Sequence, residues 1–183
     1  ISITGVVRTP FNTPTTHVTM EDFTIDGNRA NNPIGKVDGV FVGTAPGSTL
    51  QDSDIVIRRV EVMNASGYGF DPHEQTVRLT IEDSVAHHNG LDGFTLDFLI
   101  DSVIRNNVAY ANDRHGFNVV TTTQNTVLED NVAFSNGGNG ITVQRGSELI
   151  EAPHDIVITG GEVYDNALAG VLVKYSHDIV IDG

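Results

Sequence analysis

The run Tyr68-Gly69-Phe70-Asp71-Pro72-His73-Glu74-Gln75-Thr76 places a phenol, an imidazole and two carboxylates within seven positions. Such a set can do proton-transfer chemistry, because an imidazole and a phenol can give and take protons on either side of neutrality while carboxylates tune them. Elsewhere in the chain the matching positions carry blander residues, and that contrast marks the run as functional.

Tyr68 to Glu74 do nothing without a scaffold to aim them. The chain is 183 residues long, enough for one domain with a sizeable core. It opens at Ile1 in the alternation Ile-Ser-Ile-Thr and stops at Ile179-Val180-Ile181-Asp182-Gly183 inside a repeat. Residues 1–183 are therefore expected to be the central coils of one longer solenoid, truncated at both ends. Nineteen glycines and a near absence of 3.6-residue periodicity point to strands and turns.

The repeat itself is plain once the chain is aligned on Gly69, Gly93, Gly116, Gly140 and Gly170, spaced by 24, 23, 24 and 30 residues. An apolar residue follows each, and an asparagine (Asn89, Asn112, Asn136, Asn166) stands four places before the last four; Asn64 sits one place further back from Gly69. Short alternating strands in turns of about 23 residues leave no room for a crossover helix, so the fold class is all-β, a parallel β-helix. Corner asparagines are expected to hydrogen-bond along the stack; Asn64-Ala65-Ser66 matches a glycosylation sequon but is read as part of the same ladder. Two polar loops, residues 28–36 and 146–153, are expected to wall one groove.

Stacked coils lie about 4.8 Å apart, so the alignment maps neighbours. With apolar residues one and three places after each glycine pointing inward, Asp71, Thr95, Asn118, Thr142 and Leu172 form one outward column, and His73, Asp97, Val120, Gln144 and Lys174 another. Tyr68, Asp71, His73, Asp97, Arg114 and His115 should thus share one exposed patch over three coils. Two carboxylates alone would suggest glycoside hydrolysis, but that leaves Tyr68, His73 and Arg114 idle. Proton abstraction next to a carboxylate, on a uronic-acid polymer, uses the whole set: Arg114, Lys36 or a protonated Asp neutralises the carboxylate, and His73 and Tyr68 act as base and acid. Returning the proton to the other face epimerises the carbon, whereas expelling the O4 substituent cleaves the chain.

Other features bound the reading. A formal charge of -14 and a pI near 4.6 exclude a general nucleic-acid or anionic-membrane binder. No cysteine is present, so thiol and disulfide chemistry is excluded, and no apolar run has the length of a membrane span. His17, His154 and His177 recur with the repeat and read as structural. His87-His88 is not read as a metal site, because adjacent side chains diverge and no third ligand is evident.

Tyr68-Gly-Phe-Asp71-Pro-His73-Glu, Asp97 and Asp113-Arg114-His115-Gly116-Phe117-Asn118 resemble the catalytic module of the secreted bacterial mannuronan C5-epimerases, and the resemblance runs through essentially the whole chain. It implies a right-handed parallel β-helix that converts mannuronate to guluronate within alginate, with Tyr68, Asp71, His73 and Asp97 catalytic. Lys36, Arg114, His115 and Lys174 would bind substrate, with His73 and Tyr68 on opposite sides of the sugar. The resemblance further implies calcium dependence, without assignable ligands here, a secreted, extracellular setting, and a monomer carrying further modules. Its partner is an anionic polysaccharide, with neither nucleic acid nor membrane insertion. The rival readings are an alginate lyase or dual-function enzyme using the same groups, and a noncatalytic polysaccharide-binding β-helix.

Overall fold

The computed structural model describes residues 5–35 and 37–183, which contain eighteen strands and one 3-10 turn, Arg29–Asn31. Every strand pairing among them is parallel. Seven strands stack in chain order into one sheet: Gly5–Arg8, Asp38–Val42, Phe70–Pro72, Phe94–Asp97, Phe117–Val120, Ile141–Gln144 and Val171–Lys174. The other eleven form a second sheet that bends within each coil. Val56–Met63 shows how: its first half pairs with Thr80–Glu82 and its second half with Val85–His87. The bend falls at Arg59, and at Asp83, Asn106 and Asp130 in later coils, all with left-handed φ of 51–54°. This is the parallel β-helix read from the repeat.

Inside it, identical residues stack on identical residues. Phe70, Phe94 and Phe117 are fully buried, with ring centroids 4.6 and 4.7 Å apart; burying each such side chain contributes roughly 1.5–3 kcal/mol. The repeat glycine is required by close approach. A Cβ on Gly69, Gly93, Gly116 or Gly140 would lie 2.5–2.8 Å from the next glycine's carbonyl oxygen and 2.8–3.0 Å from the neighbouring asparagine Nδ2.

The asparagine ladder is present from Asn89 onward: Asn112 Oδ1 accepts from Asn89 Nδ2 at 2.9 Å, Asn136 Oδ1 from Asn112 Nδ2 at 3.0 Å, and Asn166 Oδ1 from Asn136 Nδ2 at 2.9 Å. Asn64 does not belong to it. Ala65 holds the ladder position and donates its N–H to Asn89 Oδ1, while Asn64 takes the left-handed corner and donates Nδ2 to Asp26. A second ladder, Ser84, Asn107 and Asn131, runs along another corner and was not anticipated.

Both expected loops flank the seven-stranded sheet, one entering it ahead of Asp38–Val42 and the other leaving it after Ile141–Gln144. The first folds across later coils: Arg29 pairs with Asp113 and donates Nη1 to His88 O at 3.2 Å. No helix among the described residues is long and apolar enough to cross a membrane.

Candidate active site

Register places the candidate residues. Phe70 pairs with Phe94 and Val120 with Asp97, so one coil step carries the chain from His73 to Asp97. Their side chains meet as expected, with His73 Nε2 3.0 Å from Asp97 Oδ2. His73 Nδ1 lies 2.8 Å from Glu74 Oε1 but out of line for a hydrogen bond, so the nitrogen has no partner. Phe41 lies 6.1 Å below the imidazole, near-parallel to it, and Phe98 tilts against it at 5.5 Å. Immediately after His73, Glu74 and Gln75 both adopt left-handed φ, 44° and 56°, reversing the chain beside the site.

The patch is less exposed than expected. Asp71 is 3% exposed and its column mates Thr95, Asn118 and Thr142 are also buried, although they point away from the core. The column continues one coil earlier with Phe41, which pairs with Asp71 and is covered in turn by Phe11, 5.6 Å away edge-on. On the other side Gln144, from the neighbouring outward column, donates Nε2 to Asn118 Oδ1 at 3.1 Å and ties the two columns together.

Burial sets the electrostatics. It pushes Asp71 well above the usual carboxylate range, reinforced by Asp38 and Asp97 and opposed by His73. Asp38, which sequence reasoning missed, is raised to about 6 by burial, against the N–H that Tyr68 donates to its Oδ1 at 2.8 Å. Burial alone would lower His73, but Asp97 first, then Asp71 and Glu74, raise it to about 9. Burial, then Asp92 and Asp71, raise Tyr68 to about 12, with Arg114 pulling the other way. The resting site at neutral pH therefore holds a protonated phenol and an imidazolium beside an aspartate whose proton affinity is raised by burial.

Arg114 Nε is 3.4 Å from Asp92 Oδ1. His115 donates its N–H to the same oxygen at 2.9 Å, and its Nδ1 accepts the Asn139 N–H at 2.9 Å. That acceptor role leaves the ring proton of the neutral imidazole on Nε2, and burial lowers the His115 pKa, consistent with a neutral ring. Lys174 occupies its expected column, in register with Gln144, but is exposed and four coil steps from His73, about 19 Å at the usual strand spacing. Lys36 lies outside the described residues. The structure thus brings together Tyr68, Asp71, His73, Asp97, Arg114 and His115, adds Asp38, Glu74 and Asp92, and leaves Lys174 at the far end of the face.

Among the described residues, four buried side-chain polar atoms lack a hydrogen-bond partner, and three are Asp71 Oδ1, His73 Nδ1 and Asp97 Oδ1. Orphaned buried polar atoms cost stability and need a reason. All three belong to residues whose charges act on one another, His73 and Asp97 by contact and Asp71 with both.

A family model described as "Right handed beta helix region" matches residues 11–183. The chain belongs to the right-handed β-helix family. Within that family, this β-helix is 60% identical over 177 residues to mannuronan C5-epimerase AlgE6 of Azotobacter vinelandii, covering 97% of the chain and 20% of the relative. The solved A-module of mannuronan C5-epimerase AlgE4 from the same organism superimposes with a TM-score of 0.93 at 57% identity, covering 98% of this chain and 48% of the module. Alginate lyase 7 of Azotobacter vinelandii is 48% identical, over 98% of this chain and 21% of that protein. This β-helix spans about a fifth of the epimerase relative and about half of the solved module.

Proposed function

We propose that this β-helix is the part of a mannuronan C5-epimerase that carries the proton-transfer groups, acting on mannuronate units within alginate. The observation that carries the reading is the convergence of orphaned Asp71, His73 and Asp97 atoms beside Tyr68 and Arg114. C5 of a uronate gives up its proton only when the adjacent carboxylate is neutralised. Arg114 brings a positive charge to that carboxylate, and Asp71, whose buried carboxyl holds its proton more tightly than usual, offers it a hydrogen bond when protonated. Of His73 and Tyr68, one first gives up its own proton to solvent and then takes the C5 proton, while the other, still protonated, returns a proton to the opposite face, which inverts the carbon; exchange with solvent resets both. Asp97 and Glu74 orient the imidazole. Neutral His115 offers Nε2–H as a donor along the groove, and Lys174 would meet a uronate several sugars away.

One second reading has an observation behind it. The 48% identity to alginate lyase 7 favours a lyase or dual activity, because elimination starts from the same C5 carbanion. Proton NMR of polymannuronate incubated with the protein in deuterated water separates the two: guluronate carrying deuterium at C5 supports epimerisation, and unsaturated chain ends support elimination. A polymer left unchanged sinks both.

Three further parts of the proposal rest on the resemblance. A secreted, extracellular setting and a monomer joined to further modules suit a polymeric substrate. Calcium dependence is the third. Among the described residues no group of three or more His, Cys, Asp or Glu could hold a metal ion. No step above runs through calcium; loss of activity on chelation, restored by calcium, is the test.

A further inference from the structure

The column ahead of the repeat glycines contains Asp38, Tyr68, Asp92, His115 and Asn139. Four of these side chains do a plain structural task, accepting the backbone N–H of the next coil: Asp38 from Tyr68 at 2.8 Å, Asp92 from His115 at 2.9 Å, His115 from Asn139 at 2.9 Å and Asn139 from Ala169 at 2.9 Å. Asn139 shows that a neutral amide suffices for that task. Asp92 does more. Its Oδ2 accepts from Asn118 Nδ2 at 3.0 Å and Thr95 Oγ1 at 3.3 Å, while Oδ1 also faces Arg114 Nε at 3.4 Å. Its side chain is fully buried, and its backbone oxygen accepts the N–H of Gly69, next to Tyr68.

We propose that Asp92 is a positioning residue for the reaction, its buried carboxylate aiming the Arg114 guanidinium at the substrate carboxylate beside Tyr68. The proposal rests on the epimerase reading above. A carboxylate sunk beneath the site gives Arg114 a fixed bearing, which a cation 42% exposed otherwise lacks. It also disfavours phenolate. The groups facing Tyr68 are Asp92 and Asp71, which hold its proton on, and Arg114, which loosens it; His115 sits beside Arg114 and is neutral. Asp92 therefore links the group that neutralises the substrate to one that moves the proton.

Asp92→Asn separates the charge from the ladder, since Asn139 performs the ladder task as an amide. Two readouts are taken on the full chain. With polymannuronate, KM is expected to rise roughly tenfold or more, the loss usual for a charged hydrogen bond, with Asp92→Glu recovering part of it. Without substrate, NMR of 13Cζ-labelled tyrosine, assigned with Tyr68→Phe, should show the Tyr68 midpoint falling from about 12 by about one pH unit or more. Because the titration needs no substrate, it decides the positioning even if polymannuronate proves not to be turned over, an outcome that would sink the epimerase reading alone. If Asp92→Asn fails to fold, Arg114→Gln asks the same question with the opposite sign, and the Tyr68 midpoint should rise. An Asp92→Asn protein with a lower Tm but unchanged KM and Tyr68 titration, or an Arg114→Gln protein with an unmoved midpoint, overturns the proposal.

Discussion

His73 is held near pKa 9 by a balance, since burial disfavours its charge and three carboxylates restore it. The largest restoring influence is Asp97, 3.0 Å from Nε2. Asp97→Asn should therefore lower the His73 midpoint toward its ordinary value of 6.5, read from the imidazole Cε1 proton by NMR; a midpoint that stays near 9 would mean that Asp97 does not control it. Tyr68→Phe removes only the phenol oxygen and should cost at least a hundredfold in kcat with little change in KM, because proton transfer is a transition-state contribution. A Tyr68→Phe enzyme within twofold of wild type would remove the phenol from the mechanism. The pairing of His73 with Asp97 was legible from repeat spacing alone, because a stacked coil turns sequence distance into register. Asp71's burial was not legible, since the covering Phe41 comes from an irregular coil whose glycine, Gly39, lies 30 residues before Gly69, and Phe11 from the coil before that. Asp38 was missed for the same reason.

The elements that hold this register are ladders. Buried Asn112 accepts from Asn89 N and Nδ2 and donates to Ala86 O and Asn136 Oδ1. Asn112→Ala would strand all of these, and the expected loss is roughly 2–4 kcal/mol in urea unfolding. Arg105→Ala breaks only a surface pair with Glu82 and should cost less than about 1 kcal/mol. Equal losses in the two variants would show that the corner ladder is not what fixes the coils. The recurrence of Asn four places before glycine made the first ladder readable. The Ser84, Asn107 and Asn131 ladder was hidden because serine opens it, and Asn64 misled because being an asparagine one position off the register puts the side chain at the corner, outside the stack.

At the scale of the whole molecule, the site leaves a signature in stability against pH. Asp38 has a folded pKa of about 6 against an ordinary 3.8, so its contribution is full below about 3.8 and is lost as pH rises through 6; buried Asp71 acts in the same direction. His73, raised from 6.5 to about 9, contributes fully below 6.5 and loses that contribution as pH rises through 9. His115, lowered by burial, opposes them, losing its contribution as pH falls through its folded pKa. The loss from His73 falls between pH 6 and 9, so the Tm should be higher at pH 6 than at pH 9, and the gap should shrink in His73→Phe. A Tm rising from pH 6 to 9 would contradict the charge states assigned to the site.

The most direct test of the central claim is deuterium incorporation at C5 of polymannuronate by wild-type protein and by His73→Phe, compared in one proton NMR experiment in deuterated water. The account predicts labelled guluronate from the wild type and none from a variant that keeps its β-helical circular dichroism. Labelled guluronate at a comparable rate from folded His73→Phe would contradict it.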